Sequence, residues 1–269
     1  MLERLYFREK REEAQIFRKE RLKIGVAGVC GGVGSSFVAC MLAKALSERK
    51  DRRVAFVEAW GADMGCDAGV GGSTSSTCLY HSLGMDRRFD GRVFTDYFRT
   101  IATGEPVGDR CNMEERINWA LAVPGAWEHR ELRAEDYCYL VNNIGGNTVI
   151  CDLGNLYYQP NLYREMDSLI WVLDPLPSRL IAGMERLALA RRLQAEGRRT
   201  AFVINRWNDG VNRREFSAFF KEKNRFHLPL ISQELIYRGE YNCTIPWVQK
   251  EIKAEMKPNM EKILGFLGI

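Results

Sequence analysis

The sequence predicts an α/β fold: a single domain with a mostly parallel sheet of about seven strands and helices on both faces. Three observations carry that prediction. Short β-branched runs alternate with longer helical runs along most of the chain, the order that strand–helix–strand units require. The stretch KIGVAGVCGGVGSS (Lys23–Ser36) passes from an apolar strand through clustered glycines straight into a helical run. Several strands also end on a polar or acidic residue, where open α/β sheets bind ligands.

Residues 1–22, MLERLYFREKREEAQIFRKERL, read as a charged helical extension, a solvated leader with a narrow stripe of Leu2, Leu5, Tyr6, Ile16 and Phe17. The domain itself spans 23–269. Its first strand carries Ile24, Val26 and Val29. The glycines that follow turn successive backbone N–H groups toward one point, and the helix FVACMLAKALSE adds the positive end of its dipole, giving the outline of a phosphate-binding loop. Arg53–Glu58 is a second strand. The stretch 59–78 contains GVGGSTSS but has no lysine and no strand leading into it, so it reads as a mobile loop.

Val93–Val107 is helical in its first half, with Gly104, Glu105 and Pro106 as its stop. A third strand runs through Trp119–Val123 to Pro124. Glu131–Ile144 is a helix ended by Gly145 and Gly146, and the strand Thr148–Asn155 delivers Asp152 to its carboxyl end. Leu169–Leu173 is the next strand, ending at Asp174. A single long helix is expected over Ser178–Glu196, with Leu180, Met184, Leu187 and Leu193 on one face. Then come a strand over Ala201–Asn205, a polar helix near Arg213–Lys223, a last short strand over His227–Ile231, and a helical tail over Trp247–Ile269 broken at Pro258.

With 269 residues and 46% hydrophobic content the chain can bury one substantial core. A net charge of +4 is too small to imply nucleic acid, and Arg191, Arg192, Arg198, Arg199, Arg213 and Arg214 have acidic residues among them, as on a solvated face. The eight cysteines show no CxxC spacing. They read as reduced core thiols rather than a disulfide framework or zinc ribbon. His81, His129 and His227 stand apart, without triad or metal-ligand spacing. The charged N-terminus and the lack of a membrane-spanning apolar run lead to the expectation of a cytoplasmic protein.

In this order of elements the chain resembles the MinD/ParA family of P-loop ATPases, which carry a deviant Walker A motif. CGGVGSS stands where that family has a glycine-rich loop with two lysines. FTDYFRTIATGEPVGD is similar to its helix-then-Gly-x-x-Pro segment, WALAVPG to its third strand, and VICDLGN to its Walker B strand. SLIWVLDPLPSRL is similar to the strand and proline turn that follow, FVINRWN to a base-contacting strand end, and RGEYNCTIPW to the late turn before the terminal helix. The resemblance covers about Lys23 to Pro246. It implies a nucleotide site built from Gly31, Gly32, Val33, Gly34, Ser35, Ser36, Asn205 and Arg206, with Mg²⁺ held by Ser36 and Asp152.

Departures from the family pattern fall on the charged positions. Cys30 occupies the place of the signature lysine and Ser35 that of the phosphate-holding lysine, while Glu58-Ala59-Trp60 keeps one carboxylate of an Asp-x-Asp. A cation about 4 Å from a phosphate charge is worth on the order of 4 kcal/mol at an effective dielectric near 20, before desolvation. Its loss weakens binding of ATP and Mg²⁺ by about two or three decades and hydrolysis further still. Lys44 and Arg206 are the candidate substitutes.

The resulting expectation is a nucleotide-binding or pseudo-ATPase switch that positions or assembles a larger machine, secretion- or pilus-related, as a homo- or heterodimer with a protein partner. Two alternatives stay open, a slow ATP hydrolase with a displaced cation and a nucleotide-free scaffold. The tail MEKILGFLGI is a candidate peripheral contact with the inner face of the membrane, with core packing of a last helix as the other reading.

Overall fold

Leu22–Gly28 forms β1, the strand around which the sheet is arranged. The structure, a computed structural model, describes residues 21–59, 79–89, 94–108, 110–123, 133–154 and 159–269. The other strands are β2 (Val54–Glu58), β3 (Met113–Glu114), β4 (Ile117–Ala120), β5 (Thr148–Gly154), β6 (Ser168–Leu173), β7 (Arg199–Trp207) and β8 (Arg225–Pro229). They lie in the order β3-β4-β2-β5-β1-β6-β7-β8, all parallel except the β3–β4 pair. The chain builds outward from β1 to one side, then crosses over it between β5 and β6 to build the other. That reversal puts a crevice at the carboxyl end of β1, where open α/β sheets take their ligands.

All seven expected strands are present, with ends shifted by up to three residues. The eighth, β3, is too short to show a period. It folds back on β4 through Glu115 and Arg116 at φ 53° and 66°, the left-handed pair that a two-residue hairpin needs. The strands β5 and β6 are buried along their whole length, so their sequences read as continuous apolar runs.

Among the described residues the helices are α1 (Ser35–Ser47), α2 (Leu79–Ser82), α3 (Met85–Arg88), α4 (Tyr97–Ala102), α5 (Ala134–Asn143), α6 (Pro160–Glu165), α7 (Pro177–Ala182), α8 (Met184–Ala195), α9 (Arg213–Phe219), α10 (Gln233–Tyr241) and α11 (Lys250–Leu267). The largest fully buried side chains, Trp119, Trp171, Tyr97, Tyr137 and Tyr163, extend one core across the sheet.

Four expectations are corrected. The single helix over Ser178–Glu196 is two, α7 and α8, meeting at Gly183, where a Cβ would lie 2.7 Å from Val29 Cγ2. The break lets the chain press against the residue that opens the glycine loop. The tail does not break at Pro258: α11 runs through it, and both Pro258 and Ala254, whose carbonyl loses its partner, face solvent.

The MEKILGFLGI stretch is not a free amphipathic tail either. Ile252, Met256, Met260, Ile263, Leu264 and Leu267 of α11 are at most 3% exposed, so of the two readings of this tail the packing of a last helix into the core is the one that holds. The boundary between residues 22 and 23 also shifts. Leu22 opens β1 and pairs with Thr148, while Arg21 donates to the carbonyls of Gly146, Val141 and Ile144. The expected helix over 1–20, the loop over 60–78, the turn at Pro124 and the start of the helix at Glu131 lie outside the described residues. Among the described residues no helix is long and apolar enough to cross a membrane.

Candidate functional site

The corner between β1 and α1 is set by two left-handed glycines. Gly32 has φ 73°, and Gly34, at φ 88° and ψ 32°, caps α1 with no side chain of its own. The first helical hydrogen bond runs from Val38 N–H to the Gly34 carbonyl at 3.0 Å, which leaves the amides ahead of it without intrahelical acceptors. An anion placed there meets N–H groups and the helix dipole together. The loop opens on a cavity of about 510 Å³ lined by Gly31, Gly32, Gly34, Ser35, Ser36, Asn205 and Arg206, which gathers seven of the expected nucleotide residues. The eighth, Val33, is fully buried in the core and serves the corner through its carbonyl.

Asn205, which lines the cavity, is also bound to the loop. Its Nδ2 donates to the Val33 carbonyl at 2.9 Å, and the side chain is nearly buried. A Cβ on Gly34 would lie 2.5 Å from that same Nδ2. The amide of Asn205 therefore fills the space that only a glycine leaves open. Arg206 sits at φ 61°, a left-handed conformation that costs an arginine about 1 kcal/mol. Its Nη1 lies 2.9 Å from Asp174 Oδ2, on a carboxylate only 2% exposed, while Asp174 Oδ1 accepts the Leu176 N–H.

Lys44 is not a substitute for the missing lysine. Its Nζ lies 2.6 Å from Glu115 Oε2 and 3.3 Å from the Glu115 carbonyl, which ties α1 to the β3–β4 turn. That hydrogen bond, with the Lys44 charge, holds the Glu115 carboxyl below its usual value. The cation at the loop is one that sequence reasoning missed. Arg179, in the first turn of α7, places Nη1 2.7 Å from the Gly31 carbonyl, and the neutral Cys30 thiol donates to the Arg179 carbonyl at 3.5 Å. Burial pushes that thiol up against the opposing pull of Arg179. The signal was the topology: β6 is the neighbour of β1, so the turn after β6 lies beside the loop.

Asp152 lies two residues before the end of β5 in full burial, with Oδ1 accepting the Gly154 N–H at 3.0 Å. Glu58 is its in-register neighbour on β2 and accepts the Ala122 N–H at 2.9 Å. A Mg²⁺ ion keeps most of its waters and needs only one or two protein oxygens. The half-buried Ser36 hydroxyl on α1 and the Asp152 carboxylate suit it in type, and the ion would supply the positive charge that neutralises phosphate oxygens. Among the described residues no group of three or more His, Cys, Asp or Glu side chains is gathered into a metal site.

Beyond the loop the cavity is lined by Leu79, Leu83, Pro229, Leu230, Ile231 and Ile236, with Ser82 and Glu240 at its rim. This part of the lining is mostly apolar, whereas the loop part presents backbone N–H groups suited to an anion. Leu79, Ser82, Leu83, Ile236 and Glu240 were not among the expected site residues, because α2 and α10 were not read from the sequence.

No protein-family model matches the chain, and no curated protein sequence matches it. Solved structures do. A putative plasmid partition protein from Borrelia burgdorferi bound to AMPPNP superposes with a TM-score of 0.65 at 14% identity, covering 91% of this chain and 98% of that one. MinD from Aquifex aeolicus, in its complex with MinC, gives 0.65 at 12% identity, covering 91% and 96%. MinD from Pyrococcus horikoshii OT3 with Mg-ADP gives 0.62 at 19% identity, covering 90% and 93%. The fold is the MinD/ParA-like P-loop NTPase fold.

Proposed function

We propose that this chain is a nucleotide-binding switch of the MinD/ParA kind, a pseudo-ATPase that positions or assembles a larger machine inside the cell. The observation that carries the reading is the corner itself. Gly32 and Gly34 keep left-handed conformations, and Asn205 occupies the space a Cβ on Gly34 would need, so the amide cradle persists where both lysines have gone. A cradle without those lysines binds its ligand through backbone N–H groups and the helix dipole, with no ammonium on the loop itself. Such donors stabilise a bound phosphate but give less to the charge that develops as it transfers.

Binding without rapid turnover suits a state that a partner reads. Solved neighbours with the same fold hold AMPPNP, hold Mg-ADP, or sit in complex with MinC, and we extend those roles to this chain as part of the proposal. The ligand is a nucleoside di- or triphosphate with Mg²⁺ on Ser36 and Asp152. The partner is a second copy, or a protein of a membrane-associated machine of the secretion or pilus type.

The test measures nucleotide binding and Mg²⁺-dependent hydrolysis for the natural protein and for Ser35→Lys, with Gly34→Val and Asp152→Ala as controls. The proposal expects weak binding, no turnover above the controls, and tighter binding in Ser35→Lys. Turnover above the controls would replace the pseudo-ATPase by a slow hydrolase. Absence of binding in both forms would leave a scaffold.

A further inference from the structure

We propose that Arg179 supplies the side-chain positive charge of this site, in place of the lysine that the loop lacks. The proposal rests on reading the loop as a phosphate site, and its argument is one of placement. Arg179 and the segment around it are tied to three successive loop residues. Gly183, at the end of α7, packs where a Cβ would strike Val29; the Cys30 thiol donates to the Arg179 carbonyl; and Arg179 Nη1 donates to the Gly31 carbonyl. The guanidinium lies over Gly32, where a Cβ would stand 3.4 Å from Nη2 and 3.6 Å from Nη1. It is held beside the cradle by the backbone of its own helix.

The two cations expected as substitutes are already committed. Lys44 is spent on Glu115, and Arg206 on the buried Asp174. Among the described residues no carboxylate comes within ion-pair distance of Arg179, and its side chain is exposed. One of the five guanidinium N–H groups is used on Gly31, and the planar fork of the others matches phosphate oxygens. A cation bound to a loop carbonyl and paired with no carboxylate of the described residues, at a corner whose amides already favour anions, is an arrangement that phosphate completes.

The role separates from mere bracing of the loop by two substitutions. Arg179→Gln removes the charge and leaves a neutral polar side chain, whereas Arg179→Lys keeps the charge. ATP and ADP affinities are measured by titration calorimetry on both variants and the natural protein, at low and high NaCl, with thermal melts of the free proteins as the check on folding. The expected result is a loss of about 10- to 100-fold for Arg179→Gln at low salt, a smaller loss for Arg179→Lys, and a gap that narrows as salt rises.

Wild-type affinity in Arg179→Gln, or equal losses in both variants at every salt concentration, would overturn the assignment and make Arg179 a brace. A natural protein that binds neither ATP nor ADP would overturn the reading of the loop itself. That outcome is distinct from one in which binding survives the loss of the charge.

Discussion

Glu58 and Asp152 stand opposite one another in register on the parallel pair β2 and β5, with 2% and 0% of their surface exposed. Burial pushes the Glu58 carboxyl up to about 8, the Asp152 charge adds to the push, and the N–H groups of Ala122 and Leu79 only partly oppose it. At neutral pH Glu58 therefore holds its proton mostly on the strand end that faces Asp152.

This sets a pH dependence of stability. Glu58 titrates near 4.5 in the unfolded chain and near 8 in the fold, so between those values the folded state binds the extra proton. The group's stabilising contribution is complete below the lower value and is lost as pH rises through the upper one, at up to about 1.4 kcal/mol per pH unit. Urea unfolding from pH 5 to pH 9 in EDTA should show Glu58→Gln matching the natural protein at acid pH and becoming the more stable of the two by about pH 8.5. Curves that stay parallel would refute it.

Gly34→Ala should destabilise the fold by about 1–3 kcal/mol, since it adds both a strained left-handed conformation and a contact with the Asn205 amide. Pairing it with Asn205→Ala should give a double mutant less destabilised than the sum of the singles, because the second change removes the atom that the first one strikes. Additive losses would mean that the two residues do not share the space.

Arg206 offers a comparison in which the backbone and the ion pair separate. Arg206→Gly and Arg206→Ala both lose the Asp174 contact, but only glycine relieves the left-handed conformation. The glycine variant should be the more stable by about 1 kcal/mol by chemical denaturation. Equal stabilities would count against strain at this position.

Lys44→Met should leave nucleotide affinity unchanged while weakening the link between α1 and the β3–β4 turn. The Glu115 carboxyl is held low by Lys44, so its contribution is present above the ordinary glutamate value and fades as pH falls through the lowered one. The natural protein should therefore lose a stability advantage over Lys44→Met on acidification. A drop in ATP affinity in this variant would return Lys44 to the site.

Much of this was legible from strand ends. The apolar runs that place Asp152, Asp174 and Asn205 at the carboxyl edge are read directly from β-branched periodicity, and the Gly32 and Gly34 corner from the spacing of glycines. What the sequence could not give was partnership. Nothing local in PLPSRL tells that Arg179 will reach Gly31, because that contact depends on β6 lying beside β1. Asn205 was expected to meet a ligand, and nothing local tells that its amide also binds a carbonyl 172 residues earlier. The break at Gly183 and the unbroken run through Pro258 fail for a shared reason. The isolated glycine was read through and the isolated proline was read as a break, but close packing against Val29 at one and solvent beside the other decide the outcome.

The clasping of Val33 by Asn205 and of Gly31 by Arg179 means that the glycine loop owns its shape before any guest arrives. Little chain freedom is left to freeze on entry, so a visitor should dock with a small entropic toll and a modest heat-capacity change. The corner then behaves as an anvil rather than a hinge. Besides β1 and α1, with which the loop is continuous, the two arms that grip it, the end of β7 and the start of α7, tie occupancy to the far side of the sheet.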